Sequence, residues 1–307
     1  RRQRQMCIRD RADGFTKYLP ATGLPELREA IAHHYEKNYG VSLDNKRVIV
    51  TPGASGALQL VLSVLIDPGQ QVLMADPGYP CNRNFVHLVG GEPVSIPVGP
   101  EAHYQLYASI IAANWTDRTR AVMVASPSNP TGTLLDREEL SAIHRVVRER
   151  GGVLIVDEIY QGLVYGSDSH TALSVSDDLF VINSFSKYFG MTGWRLGWMI
   201  APDKYVSTVD RLAQNIFLSA PSPAQYAALE AFSPGRQPPL RQRLATCPVP
   251  ALLMAGALDA KYVASNRALA EANPAFEAMT VADAGHAPQL ERPDDFHDAV
   301  RRWLDRP

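Results

Sequence analysis

The sequence predicts an α/β fold built on a largely parallel sheet with helices on both faces. Between positions 48 and 201, seven short runs rich in aliphatic residues are mostly separated by segments with helical spacing. Strands that alternate with helices pair in parallel, because each crossover brings the chain back to the same edge of the sheet. A Pro/Gly-rich break at 233–239 then precedes a shorter segment with strand and helix patterns of its own.

The composition is typical of a globular protein, with 46% hydrophobic and 20% charged residues in 307. A formal net charge of −2 gives no reason to expect nucleic acid or a membrane as a partner. The cysteines Cys7, Cys81 and Cys247 lack the spacing of a metal or redox pair, so we expect no metal and a cytoplasmic location. The longest apolar stretch, 57–66, is too short to span a bilayer.

Capping residues and apolar periodicity define the predicted elements. Pro25 suits the first turn of a helix and Gly40 its end. Asp136 and Glu139 form a capping-box pattern ahead of a helix at 137–150. The other helices are predicted at 57–66, 81–89, 203–215 and 224–232. The strands are predicted at 48–51, 71–75, 93–98, 120–125, 153–156, 179–182 and 195–201.

Three of these strands end in residues that suit a ligand site. The first is followed by the small-residue turn Pro52–Gly56 and a helix, where free N–H groups and the positive end of the helix dipole favour an anion. The fifth ends in Asp157, a carboxylate that is costly to bury without a partner. The sixth leads to Lys187 among hydroxyl residues, with Arg195 eight places on; such a lysine can form an imine and such an arginine can hold a phosphate.

The run Asn183–Trp198, with Pro52–Gly56 and Asp157, resembles the class I and II aminotransferases, which are fold-type I pyridoxal phosphate enzymes. The resemblance covers residues 13–233. It implies a large domain with a seven-stranded, mostly parallel sheet flanked by helices. It also implies pyridoxal 5′-phosphate as the cofactor, bound as an aldimine on Lys187.

The resemblance assigns further roles by position. Asp157 meets the nitrogen of the cofactor ring, and Tyr79 lies against the face of that ring. Asn129 and Tyr160 hold the 3-oxygen of the ring. The expected substrates are an amino acid and a 2-oxo acid, and the expected assembly is a homodimer. The phosphate contacts fall on Ala54, Ser55, Ser184, Arg195 and the partner subunit's Tyr18.

Each of these residues also has a purely structural interpretation. A lysine such as Lys187 is most often a solvated surface charge, and the structural alternative for Asp157 is a plain salt bridge. Tyr79 and Tyr18 are alternatively packing aromatics. A glycine-rich turn between strand and helix also occurs for steric reasons alone.

Residues 249–307 resemble the end of an α/β-hydrolase, closest to the menaquinone-pathway type that makes succinyl-hydroxycyclohexadiene carboxylate. Val249–Ala255 is a predicted strand, and the last predicted helix ends at Leu304. Asp259 and His286 match the acid and base of that family's triad. The chain has no Gly-x-Ser-x-Gly motif, so we expect no acyl-enzyme and interpret the pair as vestigial.

The predicted organisation has four parts. Residues 1–12 are a non-native or disordered arm rich in arginine, 13–233 the large domain, 234–248 a junction and 249–307 a partial hydrolase-like piece. The aminotransferase small domain and its substrate-carboxylate arginine are not matched. The predicted activity is transfer of an amino group between an amino acid and a 2-oxo acid. The alternatives are a chimeric or truncated protein that binds the cofactor without turnover, and a hydrolase.

Overall fold

The computed structural model describes residues 15–166, 170–232, 244–285 and 287–305. The chain divides into two units, Arg1–Ser233 and Pro234–Pro307. The first holds a seven-stranded sheet and the second a two-stranded sheet. The predicted arm at 1–12 and most of the predicted junction at 234–248 lie outside the described residues.

The seven strands of the first unit lie close to the predicted positions. In spatial order the sheet is β1-β7-β6-β5-β4-β2-β3, and only β7 runs antiparallel to its neighbours. The mostly parallel sheet predicted from the alternation of strands and helices is therefore confirmed. The strands are β1 Val48–Thr51, β2 Gln71–Asp76, β3 Glu92–Pro97, β4 Thr119–Ala125, β5 Val153–Asp157, β6 Phe180–Ser184 and β7 Gly197–Ile200.

The helices begin and end largely where their capping residues predict. Gly40 ends the first helix in a left-handed conformation. Asp136 accepts a 2.7 Å hydrogen bond from the N–H of Glu139, but the Glu139 carboxylate accepts from Ala108 N instead of completing the capping box. The seven-residue α4 has too few residues for a clear period and was not predicted. The helices of this unit are α1 Pro25–Tyr39, α2 Gly53–Leu65, α3 Cys81–Leu88, α4 Ala108–Asn114, α5 Arg137–Glu149, α6 Asp203–Ile216 and α7 Ser222–Phe232.

Two predicted boundaries near the site were wrong. Helix α2 begins at Gly53 instead of residue 57, so the small-residue turn forms the first turn of the helix. Strand β7 begins at Gly197 instead of Arg195, because Arg195 has a left-handed backbone with φ of 52°. Both differences turn polar groups toward the same edge of the sheet.

The sheet is buried on both faces, as its aliphatic strands predict. In β5, Leu154 and Val156 belong to the core shared with α1, α5 and α7, and Val153 and Ile155 belong to the core shared with α2 and α6. Polar side chains are therefore accommodated where the strands end. Because β4, β5 and β6 are adjacent and parallel, their carboxyl ends meet at one edge.

The second unit pairs β8 Ala251–Gly256 in parallel with β9 Phe276–Val281. The described residues contain no helix with both the length and the apolar composition needed to span a bilayer. The described residues of this unit include the helices α8 Ala260–Ala272, α9 Pro288–Glu291 and α10 Pro293–Leu304.

Candidate active site

A cavity of about 220 Å³ lies at the carboxyl ends of β4, β5 and β6. Its wall contains nine of the ten residues predicted to bind the cofactor, drawn from distant parts of the chain by the order of the strands. Tyr18 is the exception: it is 83% exposed and does not line the cavity. The nine are Ala54, Ser55, Tyr79, Asn129, Asp157, Tyr160, Ser184, Lys187 and Arg195.

The first turn of α2 meets the guanidinium of Arg195 at one side of the cavity. A Cβ on Gly53 would lie 2.8 Å from Nη2 of Arg195, so glycine leaves room for the cation. A Cβ on Gly197 would lie 2.8 Å from the backbone nitrogen of Ala54. Nη1 of Arg195 donates to the carbonyl oxygen of Thr192 over 3.0 Å, which fixes the guanidinium. A helix N-terminus beside a fixed cation is suited to an anion such as a phosphate.

Asp157 is the buried carboxylate of the cavity. It is 8% exposed, and its Oδ1 accepts a 3.0 Å hydrogen bond from the N–H of Ile159. Burial raises the pKa of Asp157 to about 6, and the Ile159 N–H opposes that rise. A cation placed in the cavity against this carboxylate would favour its ionised form.

The next residue, Glu158, serves a different purpose. It does not line the cavity, and its carboxyl group accepts hydrogen bonds from Thr171 Oγ1 at 2.9 Å and from Ala172 N at 2.7 Å. Burial raises the pKa of Glu158 to about 8, and the two donors oppose the rise. Glu158 therefore ties the segment that contains Thr171 and Ala172 to the end of β5.

Asn129, Tyr160 and Lys187 form a polar cluster on the cavity wall. Nδ2 of Asn129 donates to the hydroxyl oxygen of Tyr160 over 3.4 Å. Nζ of Lys187 lies 5.4 Å from the centroid of the Tyr160 ring, within the range of a cation–π contact. An amide, a phenol and an amine together offer several donors to an anionic oxygen.

Ser184 and Tyr79 also line the cavity. Oγ of Ser184 lies 3.0 Å from the carbonyl oxygen of Leu196 and 2.9 Å from Oγ of Ser186, and it accepts from Ser186 N. A hydroxyl has one proton, so these bonds commit Ser184 largely to the loop that carries Lys187. Tyr79 is 44% exposed, which leaves a ring face free for stacking.

The two residues predicted by the hydrolase resemblance, Asp259 and His286, can be located only in part. Asp259 caps α8, where its Oδ1 accepts from Tyr262 N at 3.4 Å. The N–H of Leu258 donates to the carbonyl oxygen of Ala284 over 2.9 Å, so the loops after β8 and β9 lie together. His286 lies outside the described residues.

Sequence reasoning missed three residues that position the site: Gly53, Ile159 and Thr192. Gly53 has φ of 72°, and the sequence predicts it only as part of a small-residue turn. A Pro-Gly pair directly before a helix was the available signal for a left-handed glycine. Ile159 supplies the N–H that Asp157 accepts, and Thr192 supplies the carbonyl that Arg195 bonds; backbone roles of this kind leave no mark in the residue type.

Residues 2–245 match the family model described as aminotransferase class I and II. That range begins before and ends after the predicted 13–233. The valine–pyruvate aminotransferase of Mycobacterium tuberculosis is 43% identical over 219 residues, covering 71% of this chain and 56% of the relative. The aspartate aminotransferase of Geobacillus stearothermophilus is 36% identical over 235 residues, covering 75% and 60%.

The likeness extends to solved structures. A crystal structure of an aminotransferase from Mycobacterium tuberculosis superposes with a TM-score of 0.72 at 41% identity, covering 76% of this chain and 60% of that one. The chain thus spans less than two thirds of the length of each of these three relatives. With a family match over most of its length, the chain belongs to the class I and II aminotransferases, a pyridoxal phosphate-dependent family.

Proposed function

We propose that this chain binds pyridoxal 5′-phosphate on Lys187 and transfers an amino group between an amino acid and a 2-oxo acid. The observation that carries the proposal is the single cavity that gathers the lysine, a buried carboxylate and an anion cradle. These three groups come from three separate strand ends. A lysine with a purely structural role would not require the other two groups beside it.

The residues present fit this cofactor. Its phosphate suits the cradle formed by the first turn of α2 and Arg195, where Gly53 leaves room for the guanidinium. Its ring nitrogen, when protonated, supplies the cation that the buried Asp157 lacks. Asn129 and Tyr160 are placed to donate to its 3-oxygen, and Tyr79 to stack on its ring.

The cofactor, when bound, supplies an electron sink for the bond broken at the substrate Cα. The roles of the protein residues follow from where they lie. Asp157 would keep a proton on the ring nitrogen, and Arg195 would hold the phosphate. The amine of Lys187, once freed by the incoming amino acid, would take the proton from the substrate Cα and hold it on Nζ until it is returned. Tyr160 lies close enough to orient that amine.

Spectroscopy of the purified protein tests the attachment. Reconstituted wild type should absorb in the visible as a lysine-bound cofactor does, and Lys187→Ala should lose that band. Lys46→Ala is the control, since Lys46 is exposed and does not line the cavity. A wild type without a visible band, or a Lys187→Ala protein that keeps it, would contradict the proposal.

Mixing with amino acids tests the transfer. Loss of the visible band, with release of a 2-oxo acid, indicates that the cofactor has taken up the amino group. An unchanged band across a panel of amino acids would instead favour the second candidate, a protein that binds the cofactor without turnover. The panel includes valine and aspartate because the relatives are named for those substrates.

We also propose a homodimer in which the partner subunit's Tyr18 completes the phosphate contacts. The exposure of Tyr18, at 83%, and its position outside the cavity of its own chain support this arrangement. Size exclusion with light scattering measures the assembly. A monomer whose Tyr18→Phe variant binds the cofactor with unchanged affinity would contradict it.

For the second unit we propose a non-catalytic remnant of an α/β-hydrolase. A parallel β8–β9 pair, with the loop of Asp259 bonded to the loop that precedes residue 286, agrees with that origin. The chain lacks the nucleophile motif, so a serine-directed fluorophosphonate probe should leave the protein unlabelled. Stoichiometric labelling would contradict the assignment.

A further inference from the structure

Two loops carry the polar cluster of the cavity. The tyrosine loop, residues 158–163, follows β5 and bears Tyr160. The lysine loop, residues 185–192, follows β6 and bears Lys187. Because β5 and β6 are adjacent and parallel, the two loops emerge side by side at the same edge of the sheet.

Each loop is anchored separately to the body of the domain. In the tyrosine loop, Nε2 of Gln161 donates to the carbonyl oxygen of His170 at 2.6 Å, and Glu158 binds the next segment as described above. In the lysine loop, Phe189 packs 5.1 Å from Phe185 and 5.0 Å from Phe232, centroid to centroid. These anchors fix each loop to the core, but they do not set the distance between the loops.

Tyr188 makes a contact across the gap. Gly162 has φ of 87°, and a Cβ built on it would lie 2.5 Å from Cδ2 and 2.8 Å from Cγ of Tyr188. The tyrosine ring therefore lies directly on the backbone of Gly162. The other side of Tyr188 meets Phe189 edge-on at 5.1 Å, and the side chain is 53% exposed. The ring is a spacer between the glycine of one loop and the anchored aromatic of the other.

The contact lies next to the reacting groups in both loops. Tyr188 follows Lys187 directly, and Gly162 is two residues beyond Tyr160. The Lys187 amine and the Tyr160 ring are 5.4 Å apart across the same gap. Removing the spacer should let the loops approach or separate, and the amine would then change its position relative to the tyrosine.

We propose that Tyr188 is a positioning residue: by packing on Gly162 it sets the distance between Lys187 and Tyr160. This inference depends on the proposed function, in which Lys187 carries the cofactor. Tyr188 itself does not line the cavity, so it acts only through its neighbours.

The test compares four proteins reconstituted with pyridoxal 5′-phosphate: wild type, Tyr188→Phe, Tyr188→Ala and Tyr165→Ala. Tyr165 is the matched control, since it is 87% exposed and also follows the tyrosine loop. The readouts are the pH midpoint of the visible band, the cofactor dissociation constant and the thermal midpoint without cofactor. Tyr188→Phe keeps the ring and should behave as wild type.

Tyr188→Ala should move the pH midpoint by about 0.5 unit or more, because the band's protonation depends on the groups around the amine. It should also weaken cofactor binding by about threefold or more, which corresponds to about 0.7 kcal/mol. Tyr165→Ala should change neither. A Tyr188→Ala protein with wild-type midpoint and affinity would overturn the inference, and so would one that loses only thermal stability.

A second variant keeps the test decisive if Tyr188→Ala does not fold. Gly162→Ala places a methyl group against the ring and, at φ of 87°, also strains the backbone as it would at Gly53; it should shift the midpoint as well, and the double variants separate the two causes. In the double variant Gly162→Ala/Tyr188→Phe, which keeps the ring, the shift should persist. In Gly162→Ala/Tyr188→Leu, which removes the ring, the shift of the midpoint should differ from the sum of the shifts in Gly162→Ala and Tyr188→Leu. Additive shifts would overturn the inference. A wild type with no lysine-dependent band would instead defeat the proposed function, and the two failures are therefore distinguishable.

Discussion

Asp157→Asn should raise the free energy of unfolding of the cofactor-free protein and lower the protein's affinity for the cofactor. Burial raises the pKa of Asp157 from 3.8 to about 6. The folded state thus keeps a proton that the unfolded state gives up between these values. Stability from this group is present in full below pH of about 4, declines as the pH rises, and is lost above pH of about 6.

The size of the effect on the free energy of unfolding follows from the pKa shift of Asp157. A rise of roughly two pH units corresponds to about 3 kcal/mol of destabilisation above pH of about 6. Asparagine keeps the acceptor oxygen for the Ile159 N–H, but its NH₂ group needs a partner, which offsets part of the gain. We therefore expect a net gain of about 2 kcal/mol at pH of about 7.5, or about 4–8 °C in the thermal midpoint.

The assay is thermal unfolding of wild type and Asp157→Asn without cofactor, at pH of about 4.5 and of about 7.5. The difference between the two proteins should be small at the lower pH and favour the variant at the higher pH. Cofactor titration at the higher pH should show the opposite sign, with weaker binding by the variant. A variant that is less stable than wild type by the same amount at both pH values would refute the reasoning.

Two further substitutions test the packing behind the site. Gly53→Ala should lower the free energy of unfolding by about 1–3 kcal/mol and weaken phosphate binding, because the φ of 72° strains an alanine and its methyl would meet Arg195. Gly69→Ala is the control for strain alone, since Gly69 has φ of 82° with open space around it. Isothermal titration of both variants with inorganic phosphate separates the strain from the effect on Arg195. Trp198→Phe should cost about 2–4 kcal/mol in urea denaturation, since it leaves a gap in the core and removes the 3.3 Å bond from Nε1 to the hydroxyl of Tyr35. An unchanged midpoint in Trp198→Phe, or equal phosphate binding in both glycine variants, would count against the respective explanation.

The sheet could be predicted from the sequence because its strands are buried on both faces. Runs such as Val153–Val156 have no polar member until Asp157, and the first polar residue marks the end of the strand. The same pattern predicts that Asp157 and Lys187 lie near one edge of the sheet, because Asp157 ends β5 and Lys187 lies three residues beyond the end of β6. The roles proposed for these residues come from the family resemblance and not from the strand pattern.

What could not be predicted depends on strand order and on backbone conformation. Gly53 follows β1, whereas Arg195 precedes β7, and only the pairing of β1 with β7 brings them together. The left-handed turn at Arg195 also has no signature, since arginine rarely adopts it. Contacts such as Tyr188 on Gly162 likewise need the relative position of two loops, which local periodicity does not contain.

Two adjacent carboxyl groups at the end of β5 have different surroundings, one at the cavity and one within the fold. Asp157 is the last residue of β5 and Glu158 the first residue of the loop that follows; Asp157 lines the cavity, whereas the Glu158 carboxyl group meets the segment of Thr171 and Ala172. Among the described residues, Asp157 accepts from one donor, Ile159 N, whereas Glu158 accepts from Thr171 and Ala172. Both carboxyl groups carry a burial penalty, but only Asp157 lines the cavity, where a bound cation would relieve it. The proposed contact with a cationic ring nitrogen therefore falls on the carboxyl group with fewer described donors, and Glu158 has a structural role.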